Sequence, residues 1–147
     1  MKKTIILCVG NTDRGDDAAG SYIAKHLKPN DKRYVINAGF TPESYTSTIK
    51  KIKPDTLIII DAADMNLKPG DIRVIPLDKI KDTVNISTHN ISLYLLVRYI
   101  KQYVDKVLLI GVQPGKLTGR MTKSVKENCD KLIGIIEDDK IDTIEEL

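Results

Sequence analysis

Apolar runs of two kinds alternate along the chain. Residues 4–9 (Thr-Ile-Ile-Leu-Cys-Val) and 56–61 (Thr-Leu-Ile-Ile-Ile-Asp) are almost continuously apolar, as expected of strands buried on both faces of a parallel sheet. Residues 33–37 and 106–110 are further short strands, and in residues 71–76 Ile72 and Val74 alternate with polar neighbours before Pro76, which suits an edge strand. Between these runs the spacing turns helical. Ala19, Ile23 and Leu27 share one face, as do Tyr45, Ile49 and Ile52, the latter behind Thr41 as N-cap, Pro42 as first helical residue and Glu43 in the first turn. Leu93, Leu96, Val97 and Ile100 mark a helix from about residue 91 to 103, and Val125, Cys129, Leu132, Ile133 and Ile136 mark another from about residue 122. The acidic residues after Glu137 are expected to fray or to form a short helix.

Strands alternating with helices predict an α/β fold, a three-layer α/β/α sandwich with a mostly parallel sheet of about five strands and helices on both faces. The 147 residues suit one domain spanning 1–147, large enough for its own core. Such sheets bind ligands outside the carboxyl ends of their strands, where strand order reverses. Three conspicuous features fall there: the turn from Gly10 to Asp17 after the first strand, Asp61 ending the third, and Gln113 after the fifth. If the first and third strands are neighbours, right-handed crossovers set Asp17 and Asp61 across one crevice.

Composition narrows the function. The net charge of +3 comes from 23 basic and 20 acidic residues spread along the chain, with no basic stripe for a polyanion. Only 5% of residues are aromatic and none is Trp, so a base-stacking platform is lacking and nucleic acid is not an expected partner. Cys8 and Cys129 form no CxxC pair and read as small core residues. No signal peptide precedes the first strand, and no apolar run reaches the roughly 18–20 residues of a membrane span. A cytoplasmic protein without membrane insertion is expected.

The first turn carries the chemistry. Gly10, Gly15 and Gly20 fit neither the dinucleotide fingerprint nor a P-loop, and Asp13, Asp16 and Asp17 stand against Arg14 alone, so the turn suits a cation or a proton better than a phosphate. Taken singly, each candidate has an ordinary explanation. Asp16 or Asp17 would cap the helix, Asp61 would cap a turn, His89 would cap the helix it precedes or sit in the core, and His26 would face solvent at a helix end. Taken together, two strand-end carboxylates and an imidazole at a helix mouth make a metal site with positions left for water or substrate. No G-x-S-x-G elbow is present.

The blocks GNTDRGDDAAG, LIIIDAADM followed by LKPGDIRVI, STHN, and GVQPG with MT beyond it resemble, in order, those of the hydrogenase maturation endopeptidases. The similarity runs from Ile5 to about Thr122 and is nearest to the branch serving formate-hydrogenlyase-type, energy-converting [NiFe] hydrogenases. It implies a peptidase that removes a C-terminal extension from the [NiFe] hydrogenase large-subunit precursor once nickel is inserted. The family's metal-contacting positions fall on Asp17, Asp61 and His89, and the metal is the precursor's own nickel rather than a resident cofactor. One branch carries Glu where this chain has Asp17, a reach shorter by one methylene. Asp16 matches the acid that commonly precedes that position, whereas Asp13 and Arg14 occupy variable ones. Hydrolysis could use a metal as Lewis acid or a carboxylate as general base. Two alternatives stand beside this reading: a non-catalytic nickel-centre chaperone with the same ligands, and a nucleotide-binding regulator, which the acidic turn disfavours.

Overall fold

The protein's computed structural model describes residues 2–82 and 90–147. Strands Thr4–Val9 (β1), Arg33–Gly39 (β2), Thr56–Ala62 (β3), Ile72–Ile75 (β4) and Lys106–Val112 (β5) form one sheet in the order β2-β1-β3-β5-β4. β1 pairs in parallel with both β2 and β3, and β3 with β5, while β4 runs antiparallel to β5 at the edge. The first and third strands are therefore neighbours, and strand order reverses between them.

Alternation along the strands supplies two cores. Ile5, Leu7, Val9, Leu57 and Ile59 face helices Thr46–Ile52 (α2), Leu77–Asp82 (α3) and Asn90–Ile100 (α4). Ile6, Cys8, Ile58 and Ile60 face Ala19–His26 (α1) and Lys123–Glu137 (α5). Each fully buried Ile or Leu contributes roughly 1.5–3 kcal/mol, so the central strands anchor both helical layers of the expected sandwich. Buried Arg33 ties β2 to the ends of α1 and α5 in one layer: its guanidinium donates to the Lys28 and Ile136 carbonyls at 3.1 and 3.0 Å and lies 3.7 Å from Asp139.

Several local expectations are revised. Thr41 makes no side-chain cap, and Pro42–Tyr45 forms a 3-10 turn leading into α2. α3 was not anticipated, because six residues hold too few turns to display a period; its Leu77 and Ile80 reach the core. α4 ends at Ile100, short of residue 103. Beyond Glu137 a short 3-10 helix, Ile141–Thr143, is present, but the residues after it are docked rather than frayed. Val74 donates its N–H to the Glu145 carbonyl and accepts from the Leu147 N–H, each at 2.9 Å. Arg73 pairs with Glu145 at 3.7 Å and donates to the Ile72 carbonyl at 2.8 Å. Ile141 and Ile144 pack on one core and Leu147 on the other. The tail thereby covers the outer edge of β4.

Candidate active site

β1 ends at Val9, and the chain turns through Gly10–Arg14 into a 3-10 helix, Gly15–Ala18, that continues directly as α1. Glycine is required at both ends of this turn. A Cβ on Gly10 would lie 2.2 Å from the Asp17 carbonyl oxygen, and one on Gly20 would lie 2.2 Å from that of Val9. The glycine spacing thus serves close packing of the helix start on the strand end. Asn11 N–H donates to the Asp17 carbonyl at 3.1 Å, and Gly10 N–H to the Gly39 carbonyl at 2.7 Å.

The three acids of the turn have three different environments. Asp13 is exposed. Asp16 is buried and accepts from Gly115 N–H (2.7 Å), Lys116 N–H (2.9 Å), Thr122 N–H (2.6 Å) and the Thr122 hydroxyl (2.6 Å). Burial opposes its ionisation, but these donors outweigh burial and hold its carboxyl below the usual 3.8. Asp16 is therefore the organiser of the 115–122 loop, a role the sequence did not reveal. Asp17 is buried, and its Oδ1 has no hydrogen-bond partner among the described residues. Neither acid caps the helix, since no side-chain cap bond forms at either the 3-10 turn or α1.

Asp61 lies in the last turn of pleat at the carboxyl end of β3, its backbone in register with Gly111. It is 0% exposed, and neither carboxylate oxygen has a hydrogen-bond partner among the described residues. Burial, and then the negative charge of Asp17, push its pKa well above 3.8, and the adjacent Ala62 N–H gives only slight relief, short of a formed hydrogen bond. Buried carboxylates are almost always paired or multiply hydrogen-bonded. Here two lie within electrostatic reach of each other, with no basic side chain in ion-pair contact among the described residues. Such an arrangement fits a cation with affinity for oxygen and nitrogen donors. The charge of Asp17 reaches Asp61, so these two expected ligands lie near one another. His89, the third expected ligand, lies outside the described residues, and no three His, Cys, Asp or Glu side chains converge among those described.

The remaining candidates have structural roles. Gln113 accepts from Met65 N–H (2.6 Å) and Leu67 N–H (3.2 Å) and donates to Asp64 Oδ1 and the Pro114 carbonyl, both at 3.2 Å. It shapes the loop after β3 from inside. His26 is exposed at the end of α1, with Nδ1 2.9 Å from the Tyr22 carbonyl. Cys8 and Cys129 are free and buried.

The sequence matches the hydrogenase maturation protease family over residues 18–139. It is 38% identical over 112 residues to the Hydrogenase 3 maturation protease of Escherichia coli K12, an alignment covering 75% of this chain and 72% of that protein. Among solved structures, the endopeptidase HycI from Escherichia coli superposes with a TM-score of 0.90 at 32% identity, covering 99% of this chain and 96% of that one. The [NiFe] hydrogenase maturation protease HycI from Thermococcus kodakarensis KOD1 gives a TM-score of 0.82 at 30% identity, covering 95% and 92%. Among the described residues no helix is long and apolar enough to cross a membrane. With its five-stranded α/β sheet and a pair of buried acids at the carboxyl ends of the strands, the chain is a peptidase and belongs to the hydrogenase maturation protease family.

Proposed function

We propose that this protein removes the C-terminal extension of a nickel-loaded [NiFe] hydrogenase large-subunit precursor in the cytoplasm, and that Asp17, Asp61 and His89 grip the precursor's nickel to place the scissile bond in the crevice. The observation that carries this reading is the buried carboxylate pair: Asp17 Oδ1 and both oxygens of Asp61 have no partner among the described residues. A divalent ion arriving with the client would offset both the burial of these charges and their mutual repulsion. Two carboxylates and an imidazole form a donor set that nickel accepts.

Hydrolysis then requires a water activated beside the bound extension. A carboxylate beside the bound extension serves as general base, an effect worth typically about 10²–10⁴ in rate. The water oxygen bonds to the scissile carbonyl carbon, the carboxylate takes the proton, and the C–N bond breaks as that proton passes to the leaving amine. The Asp16 clamp contributes indirectly by fixing the turn that carries Asp17.

The test is intact-mass spectrometry of the large-subunit precursor encoded in the same genome, prepared with and without nickel and incubated with this protein. Loss of one discrete C-terminal peptide from the nickel-loaded form alone is expected. Binding without shortening would replace the proteolytic reading with that of a nickel-centre carrier.

A further inference from the structure

Beside the carboxylate pair lies a second feature that the chemistry above does not use. A shallow groove of about 330 Å³ opens between the carboxyl ends of β1 and β2, with Asn11, Ser21, Asn37, Phe40 and Tyr45 in its walls. That volume is at the lower end of the roughly 300–1,000 Å³ range of small ligand sites. Phe40 stands at its rim 55% exposed, an arrangement that costs hydrophobic free energy in the isolated protein. Tyr45 is half-buried behind it.

The amide groups in the groove are held in one orientation. Asn11 Oδ1 accepts from the Asp13 N–H at 2.9 Å, and Asn37 Oδ1 accepts from the Gly39 N–H at 3.4 Å and the Ser21 hydroxyl at 3.2 Å. A backbone N–H can be met only by the amide oxygen, so the Nδ2 group of each must point elsewhere. Neither Nδ2 has a partner among the described residues. Two fixed N–H₂ donors beside an exposed aromatic ring suit a polypeptide in extended form, which offers carbonyl acceptors at regular intervals and side chains alternating between them. The groove is bordered by the turn that carries Asp17, since residues 10–13 line it and Asn11 N–H donates to the Asp17 carbonyl at 3.1 Å.

We propose that this groove seats the extended C-terminal segment of the client precursor next to its scissile bond, with Asn11 and Asn37 donating to its backbone carbonyls and Phe40 covering an apolar side chain. The assignment rests on the precursor-processing function proposed above and adds where the polypeptide, as distinct from its metal, is recognised. It separates two tasks on one turn: Asp17 engages the ion, and Asn11, six residues earlier, engages the chain.

The experiment uses the full-length protein, the nickel-loaded precursor and a synthetic peptide spanning the precursor's cleavage junction. Phe40→Ser is expected to raise KM on the order of tenfold, as loss of an aromatic anchor commonly does, with kcat unchanged; Phe40→Leu restores most of the affinity. Adding the peptide to isotope-labelled parental protein should shift the side-chain amide resonances of Asn11 and Asn37 and leave those of Asn30 and Asn128 in place. An unchanged KM for Phe40→Ser, or unmoved Asn11 and Asn37 resonances while the parental protein cleaves precursor, would overturn the groove assignment and leave the processing function standing. A parental protein that never shortens the precursor removes the function and the groove's occupant together.

Discussion

Thr122 meets Asp16 twice across 106 positions of sequence, its N–H reaching Oδ1 and its hydroxyl reaching Oδ2, each at 2.6 Å. Through this contact a residue following β1 fixes the loop following β5, immediately beside Asp17. A hydrogen bond to a charged group contributes roughly 1.5–3 kcal/mol, so Thr122→Val, which replaces the hydroxyl by a methyl and keeps the backbone N–H, is expected to cost about 1–2 kcal/mol in urea unfolding. Asp16→Asn should cost more. Because the folded carboxyl titrates below its unfolded value near 3.8, its stabilisation is complete above that pH and is lost as pH falls through the folded value. The gap between parental protein and Asp16→Asn should therefore narrow on acidification; a gap of constant size at every pH contradicts the clamp.

Asp61 has the opposite sign. Its folded pKa is raised above 3.8 by burial and by Asp17, so the stability it permits is full below that pH and falls as pH rises through the folded value. Asp61→Asn keeps the shape and removes the charge. In metal-free protein this variant is expected to be more stable than the parent by about 1–3 kcal/mol at neutral pH, because it removes a buried charge beside Asp17, with the difference shrinking toward pH 4. Thermal unfolding across that range measures it, and a variant less stable than the parent at pH 7 would contradict the reading.

Asp17→Asn is likewise conservative in volume. On the proposed function it should process nickel-loaded precursor at least about 10²-fold more slowly, the lower range for loss of a positioned catalytic group. His89→Ala should behave alike. Processing at the parental rate by either variant would exclude that residue from the site.

Cys8 and Cys129 face inward, and their thiols are pushed up to about 12, chiefly by burial. Since the thiolate is the reactive form, iodoacetamide at pH 8 should label neither residue in folded protein and both in urea. Labelling of either in native protein at the unfolded rate would show that the strand and helix cores open readily.

Deleting residues 141–147 strips the partners from Val74 and the Leu147 side chain from its core. An unpaired strand edge invites pairing with another chain. The truncated protein is expected to lose about 1–3 kcal/mol and to self-associate with rising concentration, which sedimentation velocity would detect. A truncated monomer of parental stability would show the tail to be incidental.

The sequence disclosed what is local. β1 and β3 were legible because their apolar runs are uninterrupted, whereas Asp17 and Asp61 stood out only in combination, since each acid alone reads equally well as a cap. α3 was not legible, holding too few turns to show a repeat, and the docking of the tail depends on an edge strand some seventy positions away in the chain, as Val74 and Glu146 show. Asp16 illustrates the limit most clearly. Its partners lie 99 to 106 positions away, so nothing near it distinguishes a loop organiser from a solvated acid or a helix cap. Gln113 was placed at the correct end of the sheet but its purpose was hidden, because it acts on main-chain N–H groups that carry no side-chain signature.

The recess holding Asp17 and Asp61 also bears on fidelity. On the processing role proposed above, three oxygens without donors among the described residues act as an electrostatic filter: a neutral polypeptide leaves these buried acids uncompensated, whereas one bearing a positive centre relieves them. An immature client would then be turned away without any dedicated proofreading element, simply because it brings nothing that neutralises the doorway.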